Sequence, residues 1–349
     1  SFDSALKQFY IAAVSIVISL LVPVMIRKVG FVRKLSWFFA AAGIIALLVV
    51  AVAGSTSYGA KISLSIAGIS IQPSEFVKIS FVFFVAGMLY QNTSFVQVCI
   101  ASVIAAIHVL ILVISRDLGA ALIFFVTYVI MLYVATGKLL YFAGGTLAGV
   151  VASVVAYHLF SHIRVRVMAW QDPLAYIDKE GYQISQSLFA IGTGGWFGMG
   201  LYQGIPDKIP VVKQDFIFSA IAEEFGGVFA LCLILVCFSC FLMFLNIAMQ
   251  MKDQFYKLVA LGLGTVYAFQ VFLTIGGVTK FIPSTGVTLP LVSYGGSSLL
   301  CSMIIFAIIQ GLYILRQDEG DSDGSKTKKG RSEKRQANGF KKAAAEELT

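Results

Sequence analysis

Long apolar stretches separated by short polar links dominate the chain. A membrane-spanning helix needs about 20 mostly apolar residues, and nine stretches approach or reach that length. We place the predicted spanning helices at about 10–26, 36–53, 76–91, 96–114, 118–135, 139–160, 217–248, 256–278 and 297–315. The pattern therefore predicts an all-α fold, a polytopic membrane helical bundle. Because nine is an odd number, we expect the two ends of the bundle on opposite sides of the membrane.

Composition excludes a soluble protein. Of the 349 residues, 58% are hydrophobic and only 13% are charged, whereas soluble domains have about 45–50% apolar and roughly 25% charged residues. Charge is concentrated near the C-terminus, so we divide the chain into a membrane domain, residues 1–316, and a charged tail, residues 317–349, too polar to fold by itself. The net charge is +8, but no basic stripe is interleaved with aromatic residues, so nucleic acid is not an expected partner.

Basic residues in the short links predict the orientation in a plasma membrane. Cytoplasmic links of membrane proteins are enriched in lysine and arginine. The links that carry them contain Arg33 and Lys34, Lys138, and Lys252 and Lys257. We therefore expect these links and the tail in the cytoplasm, and the loops at about 54–75, 160–216 and 279–296 on the extracellular side. The loop over 160–216 is the largest segment outside the predicted helices.

Asp215 lies where this large extracellular loop meets the next helix. One interpretation is structural, because aspartate is a favoured N-cap residue. The other is chemical: burial at the membrane edge would raise the pKa of the carboxyl group, and Lys213 or Lys208 would lower it. A carboxylate with such a pKa suits a general base. The sequence leaves both interpretations open.

Other charged residues also have two interpretations. Glu223 and its neighbour Glu224 lie in an apolar helix, where acids either face a partner or wet cavity or extend to the interface; because adjacent residues point about 100° apart, they cannot both line one narrow seam. Arg116 and Asp117 form either a solvated turn or part of a site. The segment 72–78 has the features of a helix start, with Ser74 as the cap and Glu75 paired with Lys78.

The segment 285–298 is rich in glycine and hydroxyl residues and precedes a helix. Exposed backbone N–H groups at a helix start could hold an anion such as pyrophosphate, or the segment could be a packing loop buried by protein. Trp170 and Trp196 are typical of residues that anchor a protein at the membrane interface. The three histidines, at 108, 158 and 162, have no ligand-spaced carboxylate and predict no metal site.

Several of these segments together resemble one family, the SEDS proteins (shape, elongation, division and sporulation), which are polytopic peptidoglycan glycosyltransferases. The matching segments occur in the family order and cover about residues 1–316: they are 71–78, 116–119, 181–187, 214–218, 223–226 and 285–298. The family has ten helices with both ends cytoplasmic, so the resemblance implies one further helix upstream of Ser1.

The resemblance also implies roles. Asp215 is similar to the residue that deprotonates the sugar 4-hydroxyl of lipid II, whose oxygen attacks the lipid-linked glycan strand and displaces undecaprenyl pyrophosphate. Lys78, Lys213 or Arg116, with a divalent cation (Mg or Mn) as a further expectation, would offset the pyrophosphate charge. The substrate-binding residues implied by the resemblance are Glu75, Lys78, Arg116, Asp117, Gln183, Lys213, Glu223, Ser293, Gly295, Gly296 and Ser297.

Two segments of the sequence bear on the branch of the family and on activity, and the resemblance also implies a partner. The run 286–290 is similar to the division and sporulation branch (FtsW and SpoVE), and the segment 59–63 lacks the arginine and tryptophan that the family usually carries there. The resemblance implies a class B penicillin-binding protein, a transpeptidase, as partner in a division or sporulation complex. Two alternatives stay open: a lipid II flippase or transporter, and a scaffold without activity.

Overall fold

The structure, a computed structural model, describes residues 2–28, 30–57, 60–66 and 69–317. Its helices are α1 (Phe2–Lys28), α2 (Ser36–Ala53), α3 (Pro73–Leu89), α4 (Phe95–Ile114), α5 (Leu118–Thr136), α6 (Leu139–Leu159), α7 (Ser161–Gln171), α8 (Tyr182–Gly194), α9 (Ile217–Gln250), α10 (Gln254–Val278) and α11 (Gly296–Gln317). Three short strands, β1 (Ser55–Ser57), β2 (Ala60–Ile66) and β3 (Ile69–Ile71), form an antiparallel sheet between α2 and α3.

The predicted helical bundle is confirmed. All nine predicted spans correspond to helices, and eight helices of the described chain are long and apolar enough to cross a membrane. The remaining predicted span is α3, which has 17 residues, at the lower end of the length that crosses a bilayer. Its first two turns carry the buried side chains of Glu75 and Lys78, so its useful apolar length is shorter still.

The large loop over 160–216 contains structure that apolar length alone did not predict. It holds α7, α8 and a short 3₁₀ helix, Pro206–Lys208. α7 has 11 residues and α8 has 13, so neither reaches the length by which spanning helices are recognised. The loop at about 54–75, predicted to be extracellular, likewise contains the small sheet, whose strands are three to seven residues long.

Helix α10 lies at the centre of the bundle. It packs against α9, α5 and α3 and is the most buried of the long helices. The main core includes Phe81, Phe124, Phe244 and Leu263, each no more than 1% exposed. A second, smaller core lies under the large loop; its buried members are Ala190, Ile209, Val212, Phe216, Phe218, Ala222, Ala230 and Val278.

Two contacts place two of the three basic links, and the end of α11, on one face of the bundle. Arg33 Nη1 lies 3.4 Å from Asp253 Oδ2, which joins the link before α2 to the link before α10. Arg316, near the end of α11, donates a hydrogen bond to Gln250 at the end of α9. Which side of the membrane this face occupies stays a prediction. The predicted tail lies outside the described residues from 318 onward, as does Gly59 of the divergent segment.

Helix α9 is broken near its start. Gly226 has φ 86° and ψ 173°, which is not helical. Positive φ is a conformation that glycine adopts at little cost, so the glycine permits the break. The turns before the break face the large loop, and the longer part after it runs through the bundle.

Candidate active site

Asp215 lies in the turn that precedes α9. The N-cap of this helix is Phe216, and no side chain caps it, so the prediction that Asp215 caps the helix is wrong. Its position is fixed by neighbours in the second core, since Phe216 is 1% exposed and Val212 is 7% exposed. The carboxylate is therefore held at a defined place and is left available for another role.

Burial raises the pKa of Asp215 to about 6, from an ordinary value of 3.8. The Arg166 guanidinium lowers this pKa, and the nearby Asp117 carboxyl raises it. The predicted effect of burial is thus confirmed. The predicted cation is wrong, because Lys213 and Lys208 are exposed and the positive charge that acts on Asp215 belongs to Arg166 on α7.

Arg166 is the main residue near Asp215 that sequence reasoning missed. Its Nη1 donates to the backbone oxygen of Ser284 at 3.4 Å, and Trp170 Nε1, one turn later, donates to that of Lys280 at 3.1 Å. These bonds hold α7 over the segment that follows α10. Burial lowers the pKa of Arg166, and the Asp117 and Asp215 carboxylates raise it. The available signal was two arginines within a helix of 11 residues.

Asp117 joins this arrangement from the start of α5. Its Oδ1 accepts a hydrogen bond from the Ala120 amide at 3.1 Å, and its Oδ2 accepts one from Ser74 Oγ at 3.0 Å. Burial raises its pKa, and these two hydrogen bonds lower it. Ser74 was predicted to cap α3, which is wrong: the N-cap is Gln72, without a side-chain bond. Arg116, just before Asp117, is exposed and has φ 64°.

Glu75 and Lys78 form a buried ion pair on α3, as predicted from their spacing. Lys78 Nζ lies 2.9 Å from Glu75 Oε2 and donates to Gln270 Oε1 at 2.6 Å. Gln270, on α10, in turn donates to the backbone oxygen of Thr288 at 3.0 Å. Glu75 is 6% exposed and Lys78 is 2% exposed. Sequence reasoning missed Gln270, because no local pattern connects it to α3.

Ser293 and Ser297 of the segment 285–298 bind protein through their hydroxyl groups. Ser293 Oγ donates to the Gln214 backbone oxygen and accepts from the Leu289 amide at 2.8 Å. Ser297 Oγ accepts from the Gln72 amide at 3.0 Å. The Tyr294 amide donates to the Lys213 backbone oxygen at 2.7 Å. These bonds support the packing interpretation of the segment and connect it to the turn that carries Asp215.

The glycines of this segment allow close approach. Gly286 has φ 74°, and a Cβ added there would lie 3.6 Å from Asp215 Oδ2. A Cβ added at Gly296 would meet Ile11 of α1 at 2.8 Å, whereas at Gly295 it would make only ordinary contacts with Ser298 and Thr288. Gly286 was not singled out from the sequence, because its proximity to Asp215 depends on the fold.

Glu223 and Gln183 lie elsewhere. Glu223 is 7% exposed and its Oε1 accepts from the Ile205 amide at 3.2 Å, while Glu224 is partly exposed; only one of the two acids is buried, as predicted. Gln183 is the second residue of α8 and is partly buried. Neither is among the groups that shift the pKa of Asp215 or Asp117.

Some buried polar atoms at the site lack partners within the described part of the chain. They include His162 Nε2 and Thr285 Oγ1. His162 is close enough to Arg116 and Arg166 for both to lower its pKa. Since buried polar groups are normally hydrogen-bonded, these two atoms have unused hydrogen-bonding capacity. A half-buried carboxylate with a near-neutral pKa can accept a proton from a hydroxyl group, and the neighbouring arginine can hold an anion.

The chain belongs to the SEDS family, because the model of the FtsW/RodA/SpoVE "cell cycle protein" family matches residues 1–317. It is similar to the peptidoglycan glycosyltransferase RodA of Mycobacterium bovis, with 38% identity over 271 residues that cover 73% of this chain and 58% of that protein. The stage V sporulation protein E of Bacillus subtilis is 33% identical over 76% of this chain and 75% of its own length. This chain thus spans little more than half of the mycobacterial relative.

Solved structures share the fold. A chain of a peptidoglycan synthase complex matches with a TM-score of 0.72 and 23% identity, over 89% of this chain and 90% of that one. The rod shape determining protein RodA of Thermus thermophilus matches with a TM-score of 0.62 and 22% identity, over 89% and 88%. The division or sporulation branch stays a prediction, since the relatives carry all three family names and the RodA relatives have the higher identity.

Proposed function

We propose that this protein polymerises glycan strands of peptidoglycan at a plasma membrane, with Asp215 as the general base. The observation that carries the proposal is the partly buried Asp215, with a pKa of about 6, beside Arg166 in a member of this family. At neutral pH such a carboxylate is ionised yet basic enough to accept a proton as a sugar hydroxyl attacks.

The proposed reaction joins two lipid-linked substrates. The 4-hydroxyl oxygen of lipid II attacks the anomeric carbon of the growing strand, and its proton passes to Asp215. The bond from that carbon to the pyrophosphate oxygen breaks, and undecaprenyl pyrophosphate leaves with the bonding electron pair. The anomeric centre is inverted in this single displacement.

The leaving pyrophosphate needs positive charge more than it needs an acid. Arg166 is the cation with the best position in this proposal, because it acts electrostatically on both Asp117 and Asp215 and a guanidinium can bind phosphate oxygens in pairs. Lys78 is a weaker candidate, since its ammonium group is already hydrogen-bonded to Glu75 and Gln270. Lys213 extends into solvent.

A divalent cation, Mg or Mn, would bind in this proposal only when the substrate is bound as well. In the described part of the chain no group of three or more His, Cys, Asp or Glu side chains could hold a metal ion. Oxygen ligands suit these ions, so a bound ion would need pyrophosphate oxygens besides the Asp117 or Asp215 carboxylate. Chelation followed by metal titration of the polymerising protein tests this point.

The partner in this proposal is a class B penicillin-binding protein that cross-links the new strand, in a division or sporulation complex. Support comes from the similar fold of a chain in a peptidoglycan synthase complex. Co-purification from a bacterial membrane, with the transpeptidase expressed alongside, tests the pairing.

The decisive experiment is polymerisation of lipid II by the purified protein, with and without its transpeptidase. We expect Asp215→Asn to lose roughly 10²–10⁴-fold in rate, the typical contribution of a general base. Asp207→Asn is the matched control, because Asp207 is an exposed acid of the same loop and should retain activity. Full activity in a folded Asp215→Asn protein would contradict the proposal, and lipid II transport without polymerisation would favour the flippase instead.

A further inference from the structure

An exposed aromatic loop, residues 195–205, follows α8. Its side chains Trp196, Phe197 and Tyr202 are 72%, 87% and 86% exposed. No aspartate, glutamate, lysine or arginine occurs between Glu180 and Asp207. An apolar, charge-free surface of this kind marks an interaction site.

The backbone of this aromatic loop is fixed to the start of α9. The break at Gly226 leaves the carbonyls of Glu223 and Glu224 available, and they accept hydrogen bonds from the Met199 and Gly200 amides at 2.9 Å and 3.0 Å. In return, the Gly227 amide donates to Gly195 O at 2.8 Å. The loop therefore has a defined depth relative to α9.

That depth corresponds to the edge of a bilayer. α9 has 34 residues, whereas about 20 helical residues cross a hydrocarbon core of roughly 30 Å. Gln250 lies two residues before Lys252 and is taken as the inner end of the hydrocarbon core. The core then ends near Leu231, and the turn that contains Gly226 and Gly227 lies in the interfacial layer just beyond it. Phe225 and Phe229, exposed and stacked with centroids 4.9 Å apart, extend the lipid-facing surface of α9 up to the loop.

We propose that the aromatic loop inserts into the interfacial layer of the lipid bilayer. Tryptophan and tyrosine favour this layer, because their rings are apolar and their N–H or O–H groups reach water. Trp196 and Tyr202 match this preference, and the more apolar Phe197 is the most exposed of the three side chains. Insertion fixes the turns of α9 that carry Glu223, whose carboxylate accepts from Ile205 at the end of the same loop.

Depth-dependent quenching of tryptophan fluorescence tests this proposal. The chain has three tryptophans, so Trp37→Phe with Trp170→Phe leaves Trp196 as the only reporter. In phosphatidylcholine nanodiscs we expect bromine near the headgroup end of the acyl chains to cause a larger loss of Trp196 emission than bromine near the chain middle. Aqueous iodide should quench little.

Two control proteins make the result interpretable. With Trp37 alone, exposed near the start of α2, brominated lipid should also quench; with Trp170 alone, bonded to Lys280, it should quench less. Phe197→Glu with Tyr202→Glu should reduce the quenching of Trp196 and raise its access to iodide. The proposal is overturned if brominated lipid does not quench Trp196 and iodide reaches it freely. It is also overturned if iodide access disappears only when a transpeptidase is added, because the loop would then be a protein-docking surface.

Discussion

Two charged clusters lie close together in this protein and are built differently. The first, Glu75, Lys78 and Gln270, is closed: Lys78 is bonded to both partners, and Gln270 is bonded onward to Thr288. The second, Asp215, Arg166 and Asp117, joins the start of α5, α7 and the turn before α9, and polar atoms beside it have no partner within the described residues. The difference separates a cluster that holds helices together from one that has capacity left for a substrate.

Breaking the closed cluster should have the largest effect. Lys78→Met leaves Glu75 buried without its cation, and removal of one partner from a buried ion pair costs about 3–5 kcal/mol. We expect a large drop in the melting temperature of the detergent-solubilised protein. Glu75→Gln combined with Lys78→Met should recover part of the loss, whereas Lys213→Met, at an exposed lysine, should change little. A stable Lys78→Met protein would show that the cluster is not needed for folding.

Gly119→Ala tests the packing between the two clusters. A Cβ at this position of α5 would lie 2.1 Å from Val287 Cγ2 and 3.1 Å from Thr285 O, and overpacking of this kind costs about 1–3 kcal/mol. We expect a lower melting temperature. We also expect lower polymerisation activity, because Gly286, which lies between Thr285 and Val287 in the sequence, is close to Asp215. Gly192→Ala on α8 is the matched control, since nothing lies within 4 Å of its added Cβ. Equal behaviour of the two variants would contradict this account.

The pH dependence of activity sharpens the description of the open cluster. A base with a pKa of about 6 should make activity rise with pH through that value and level off above it. Arg166→Gln removes the charge that lowers this pKa, so the midpoint should move to higher pH. The rate of lipid II polymerisation measured across pH gives both midpoints. An unchanged midpoint in Arg166→Gln would show that the arginine does not act on the base.

The smallest effect is expected for the stability of the Asp215→Asn protein. This substitution should stabilise the protein, whereas Lys78→Met should destabilise it. Because burial raises the pKa of Asp215 in the folded protein, the folded state binds its proton more tightly than the unfolded state. Asp215 therefore costs stability as pH rises from about 4 to about 6. Asp215→Asn removes this cost, which is at most about 3 kcal/mol for a pKa raised from 3.8 to about 6, and should raise the melting temperature at neutral pH. A melting temperature at or below that of the wild type, measured at neutral pH, would count against a desolvated carboxylate.

The sequence predicts the two clusters unequally well. Apolar length identifies the spanning helices, and the spacing of Glu75 and Lys78 identifies their ion pair, because both signals are local. The sequence does not predict that Arg166 and Gly286 approach Asp215, because folding alone brings them there. α7 is too short for a length criterion, and the composition of the segment 285–298 does not indicate that the left-handed turn at Gly286 lies beside Asp215. Asp215 itself shows the limit of local reasoning, since aspartate before a helix indicates a cap and here Phe216 takes that position.

The break at Gly226 has a mechanical consequence. A helix longer than the local bilayer thickness adjusts by tilting or kinking. The helical bonding of α9 is interrupted at this glycine, but the aromatic loop bridges the break, because it is hydrogen-bonded both to Glu223 and Glu224 before it and to Gly227 and Val228 after it. A change in bilayer thickness that tilts the long part of α9 should therefore move the aromatic loop with it.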